Sequence, residues 1–217
     1  MKGFKIRAAA SVTILMLSFL LLAEGMSSGF LIDRIEAVVN DSVITKSEVD
    51  KAYEAEVLRL EAQGKKPAPG LRKEVLDSLI NRILILEEAK KFNLVQVTEG
   101  DVEKAFDSIK QGFPSEEAFL STLNKEDITP AELKKNLSDQ ILAAKYIDRR
   151  IKSSVRVTLD DQKKYYDENR DKFGDKSFNE VQEKINGLLN EEEAGRKLDD
   201  YLNELRAKSS IQLMGAE

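Results

Sequence analysis

The chain has 217 residues, of which 41% are hydrophobic and 34% charged, and it carries a formal net charge of −5. That length suits one or two domains, and the negative sign is repelled by phosphate backbones, which argues against nucleic acid as a partner. Histidine and cysteine are absent from the sequence, which removes the commonest general base, Ser-His-Asp chemistry, thiol catalysis, disulfides and His-based zinc or haem sites.

At the N-terminus, Lys2, Lys5 and Arg7 precede an apolar run from Ala8 to Ala23, and Ala23-Glu24-Gly25 supplies the small residues of a cleavage site. This order reads as a secretory signal peptide over residues 1–25, and it places the rest of the chain in the periplasm. The run is short of the roughly 20 residues that span a bilayer comfortably. The alternative is an uncleaved anchor in the inner membrane facing the same compartment.

Asp33 to Asn40 alternates Ile35, Ala37 and Val39 and reads as a strand, with a turn at Asn40-Asp41-Ser42 and a short continuation at Val43-Ile44. Thr45-Lys46-Ser47-Glu48 is a capping box, so a helix is expected from there to about Gln63, with Val49, Tyr53, Val57 and Leu60 on one stripe. The prolines and glycines of residues 64–70 break it. Residues 71–92 are apolar around more than half a helical circumference and are expected to form the central core helix. Capping signals at Thr98, Ser115 and Thr129-Pro130-Ala131-Glu132 start three further helices, the second preceded by a break at Phe113-Pro114.

Val155-Arg156-Val157 is a candidate strand, and Thr158 to Asp161 caps a helix expected to reach Phe173. After a break at Gly174-Asp175-Lys176, Ser177 opens the last helix, to about Lys208, with an expected bend or groove in its polar stretch from Asn190 to Lys197. Ile211 to Met214 closes the chain as a strand candidate. Strands near Ile35, Val155 and Ile211 are expected to meet in a small sheet.

Two segments, Asp33 to Asn40 with Val43 to Val49, and Leu76 to Ile85, resemble the opening of the SurA-type chaperone and foldase family. Val157-Thr158 with Tyr165 to Phe173 resembles that family's lead-in to its isomerase domain, and Phe178 to Met214 its returning helix and strand. The resemblance implies a mainly α fold: a multi-helix SurA N-terminal or trigger-factor-like chaperone module, a C-terminal helix folding back, and two or three short β-strands. Residues 26–173 would form the N-terminal helical chaperone domain, and residues 174–217 would complete the same module. Where the family carries a parvulin-type prolyl isomerase domain, this chain has only Gly174-Asp175-Lys176, so the chaperone module carries over and the isomerase does not.

The acidic runs Glu87-Glu88, Asp160-Asp161 and Glu191-Glu192-Glu193 lie in charged helical stretches and read as solvated surface rather than paired catalytic carboxylates or a metal site. No cofactor is expected. The expected function is that of an ATP-independent holdase for unfolded polypeptides, outer-membrane protein precursors above all, held on apolar helical surface. Prolyl isomerase activity, and an adaptor role in a membrane-associated assembly complex, are the competing readings; a homodimer is left open. Phe113 and Phe119, which flank Pro114, are the first candidates for client contact, with Tyr53 and Tyr146 after them.

Overall fold

The computed structural model describes residues 33–214, so the expected signal segment lies outside the described residues. The order is β1 (Ile35–Val39), β2 (Ser42–Thr45), α1 (Lys46–Ala62), α2 (Leu71–Phe92), α3 (Glu99–Lys110), α4 (Glu116–Lys125), α5 (Pro130–Arg150), α6 (Leu159–Glu168), α7 (Phe178–Lys208) and β3 (Ile211–Leu213). The fold is mainly α with short strands, as the sequence reading expects, and the strands form a small antiparallel sheet in the order β2-β1-β3.

The helix starts follow local chemistry. Thr45, Thr98, Thr129 and Thr158 each cap a helix through the hydroxyl and receive a carboxylate three residues on, so two otherwise orphaned N–H groups are satisfied at each start. Gly70, at φ +95, turns the chain into α2 through a conformation that side chains with a Cβ rarely adopt.

The sheet differs from expectation in one strand. Val155 to Val157 is not in it; Lys152–Ser154 forms a 3-10 turn, and Val155 is buried as packing. The partner of β1 on that side is β2, delivered by the tight turn at Asn40, whose φ is +51. A neighbour in sequence closes that pairing with far less loop entropy than a segment over a hundred residues away. On the other side β3 pairs Ile211 with Val39, Gln212 with Val38 and Leu213 with Ala37. The α6 segment also stops at Glu168 rather than Phe173, giving way to a 3-10 turn at Arg170–Lys172. α7 shows no break at Asn190 to Lys197: it is one helix of 31 residues, held there by Arg196 pairing with Glu193 and Asp200.

Three apolar clusters result. The main core joins Ala37, Val39 and Ile44 of the sheet to Val49 of α1, Ile80, Leu84, Ile85 and Ala89 of α2, Tyr146 of α5, and Tyr201 and Leu205 of α7. A second cluster sits where α3, α4 and the start of α5 meet: Ile109, Phe119, Leu123 and Leu137. A third lies between α6 and the first half of α7: Tyr166, Phe173, Val181 and Ile185. The two halves of α7 therefore serve different cores. Its C-terminal half is fixed to α2 by Arg206, which donates to Asn81 Oδ1 at 2.8 Å and to Asp77 Oδ1 at 2.9 Å.

Candidate functional site

Helical periodicity builds one cleft. Leu84, Glu87, Glu88 and Lys91 recur along one side of α2; Tyr146 and Arg150 do so on α5, and Tyr201, Glu204, Leu205 and Lys208 on α7. These three helix ends converge on Asn40 of the β1–β2 turn and enclose about 600 Å³. That volume falls within the ~300–1,000 Å³ of ordinary ligand sites.

The floor is aromatic and hydroxyl-paired. Tyr146 Oη and Tyr201 Oη lie 2.7 Å apart, and Tyr146 has no exposed surface. Burial and the Tyr201 hydroxyl push the Tyr146 phenol well above its ordinary range, so it stays neutral. The Arg150 guanidinium sits 5.4 Å over the Tyr201 ring, a cation–π contact that keeps the charge on the wall and out of the floor.

The lip is apolar and wet. α2 ends at Phe92, Asn93 takes a left-handed conformation with φ 48, and the chain leaves through Leu94. Phe92 is 53% exposed and Leu94 50%. Charges of both signs surround them. Glu88 pairs with Lys91 at 3.3 Å, Glu204 pairs with Lys208, and Glu87 accepts from the Asn40 side chain at 2.6 Å. The rim is thus mixed in sign. Nothing in the lining is a nucleophile with a base beside it, and among the described residues no group of three His, Cys, Asp or Glu side chains is placed to hold a metal.

The four side chains singled out from sequence are not brought together. Phe119 is 1% exposed, wedged edge-on between Phe106 and Phe113 with ring centroids 5.4 Å away on each side. The partial exposure expected for it is corrected: the break at Pro114 folds α4 back onto α3 and seals the ring. Tyr146 is likewise no surface group but the cleft floor. Phe113 is half-buried at the margin of the second cluster, and Tyr53 half-buried on α1. The lip residues Phe92 and Leu94 and the floor residue Tyr201 escape sequence reasoning. Phe92 falls on the same helical stripe as Ile85 and Ala89, and only the end of its packing partners exposes it. Of the other exposed apolar groups, Ile35, Val43 and Leu213 lie on the sheet strands and Met214 follows β3, while Leu120, Leu159 and Leu188 lie on α4, α6 and α7; none of them lines the cleft.

The family model described as SurA-like N-terminal domain matches residues 3–147. The foldase protein PrsA of Caldanaerobacter subterraneus subsp. tengcongensis is 33% identical over 152 residues, covering 64% of this chain and 44% of that protein. The chaperone SurA of Methylobacillus flagellatus is 30% identical over 129 residues, covering 58% of this chain and 29% of that protein. The chain thus spans less than half the length of these curated relatives. A solved chain from the pair of structurally related SurA-like chaperones PEB4 and Cj1289 of Campylobacter jejuni superposes with a TM-score of 0.53 at 15% identity, covering 85% of this chain and all of that one. At that identity the likeness concerns the fold alone.

Proposed function

The chain belongs to the SurA-like N-terminal domain family, and from that premise we propose that it is an ATP-independent holdase that binds unfolded polypeptides in the cleft between α2, α5 and α7. The observation that carries this reading is the pair of half-exposed apolar side chains, Phe92 and Leu94, at the mouth of a tyrosine-floored cleft. Covering the exposed half of each side chain is worth about 1 kcal/mol, since full burial of such a group gives roughly 1.5–3 kcal/mol. Contacts of that size hold a client only when several act together, and they release it without an energy source. The mixed charge of the rim repels neither acidic nor basic segments, which suits a varied client set.

The finer elements of the proposal rest on sequence. Residues 1–25 direct the chain to the periplasm, and the clients are outer-membrane barrel precursors, whose strands alternate apolar and polar residues. Phe113 and Tyr53 are supplementary contacts. Isomerase activity is not part of the reading: α6 and its 3-10 turn pass to α7 through Gly174-Asp175-Lys176, where the family's parvulin domain would stand.

The test is light scattering of a denatured outer-membrane barrel protein diluted into buffer with the purified chain. Suppression of aggregation at stoichiometric excess is expected for the wild type. Phe92→Ser with Leu94→Ser should weaken it severalfold while leaving the melting temperature unchanged. Undiminished suppression by the double variant would remove the cleft from the reading.

A further inference from the structure

The lobe formed by α6 and the first half of α7 holds a second recess, of about 320 Å³ and unlike the first in chemistry. Asn179, Gln182, Glu183 and Asn186 recur along one face of α7 and look across at Gln162 of α6. Four of these five side chains are carboxamides, each offering a donor and an acceptor.

Gln162 is the unusual member. It is only 7% exposed, its Nε2 donates to Asn186 Oδ1 at 3.1 Å, and its Oε1 has no partner. Asn186 Oδ1 already accepts a second bond, from Asn190 Nδ2 at 2.9 Å, which fixes that side chain's orientation and leaves the Gln162 oxygen as the orphan. An unmatched buried acceptor costs about 1–3 kcal/mol. Gln162 lines the recess, and a donor that reached this oxygen there would relieve the cost.

We propose that this amide-lined recess is a second client-contact site, which takes a short run of extended polypeptide main chain through its peptide N–H and C=O groups. The chemistry selects that ligand. A row of neutral carboxamides matches the peptide group in both polarity and shape, and it reads no side chain. The single carboxylate, Glu183, is exposed and adds an acceptor for N–H donors. The apolar cleft would then select greasy side chains, and the recess would hold whatever backbone lies beside them. This inference rests on the holdase reading and gives it a sequence-independent component.

The experiment uses the full chain with ¹⁵N-labelled side-chain amides and a probe peptide of serine, threonine and alanine, about ten residues long, the length of a barrel strand. Adding the peptide should move the side-chain amide resonances of Gln162, Gln182 and Asn186. The same peptide with N-methylated backbone nitrogens, which cannot donate, should bind about five-fold more weakly, the value of one neutral hydrogen bond. Gln162→Leu should abolish that difference, and Gln182→Ala, at a half-buried position, should reduce it if the first variant folds poorly. Equal binding of the two peptides, or resonances that stay still, would overturn the proposal. Aggregation suppression measured on the same wild-type sample separates the two claims. Suppression with unmoved amides sinks the recess alone, whereas absent suppression sinks the holdase reading.

Discussion

The two halves of α7 teach different lessons about how this chain holds together. The C-terminal half closes the molecule: Tyr201 and Leu205 enter the main core, Arg206 reaches an aspartate 129 positions away, and Ser210 N donates to Asn40 Oδ1 across 170 positions. The N-terminal half packs on its neighbour in sequence. Tyr166 Oη donates to the carbonyl of Lys176 only ten residues on, and Phe173 stacks on Tyr166 with centroids 5.7 Å apart. One half thus depends on long-range closure and the other on a local hairpin, so they should fail separately.

Tyr201→Ala should break the first half with the largest effect. It removes a buried aromatic ring and strands the Tyr146 hydroxyl, so a loss of about 3–5 kcal/mol is expected, seen as a fall in melting temperature of roughly 10 °C. Tyr201→Phe keeps the ring and should cost about 1–2 kcal/mol, the penalty for the unpaired phenol. Equal losses for the two variants would mean that the hydroxyl pair, not the ring, anchors α7.

Phe173→Ala should break the second half with a smaller and more local effect. Native-state hydrogen exchange should show protection lost by about 2–4 kcal/mol in residues 159–189, with residues 75–89 of α2 unchanged. Coupled loss in both regions would show that α7 transmits disorder along its length and that the lobe is no independent unit.

The same contrast explains what could be read from the sequence. Helix starts were legible because a capping box is complete within four residues: Thr129, Pro130 and Glu132 need nothing from elsewhere. Strands were half legible. Ile35, Ala37 and Val39 alternate visibly, but a local pattern does not say which segments pair with them: β2 follows directly after a turn, β3 returns from the far end of the described residues, and Val155, lying between, stays out of the sheet. Exposure was least legible. Phe119 beside a proline break looks like surface until Phe106 and Phe113 arrive on both sides of it. The cleft lip at Phe92 was hidden for the opposite reason, since its stripe position marks it for burial and only the positions of the ends of α5 and α7 leave it open. Gln162 carried no signal at all, being one polar residue in a charged helix, and its unpaired oxygen exists only once Asn186 is opposite it.

Acid should sharpen the comparison with the smallest effect. Both helices of the lobe begin on ionised carboxylates. Asp161 accepts from the Thr158 hydroxyl and backbone, and Glu180 accepts from the Ser177 hydroxyl and backbone; these bonds hold both carboxyls below their ordinary range. A carboxylate with a depressed folded-state value stabilises the fold above its unfolded pKa, about 4, and that stability is lost as pH falls through the folded value. The loss therefore begins near pH 4 and deepens below it. Outside the lobe, Asp101 is lowered still further, first by its bond to Lys145 and then by the Thr98 backbone and hydroxyl, so the tie between α3 and α5 persists to lower pH. Amide exchange followed from pH 5 downwards should show α6 and the start of α7 opening before the start of α3. Asp161→Asn with Glu180→Gln should flatten the lobe's pH dependence without touching that of α3. If α3 opened first instead, the Lys145–Asp101 pair would not be the stronger clasp, and the ranking of the two regions would reverse.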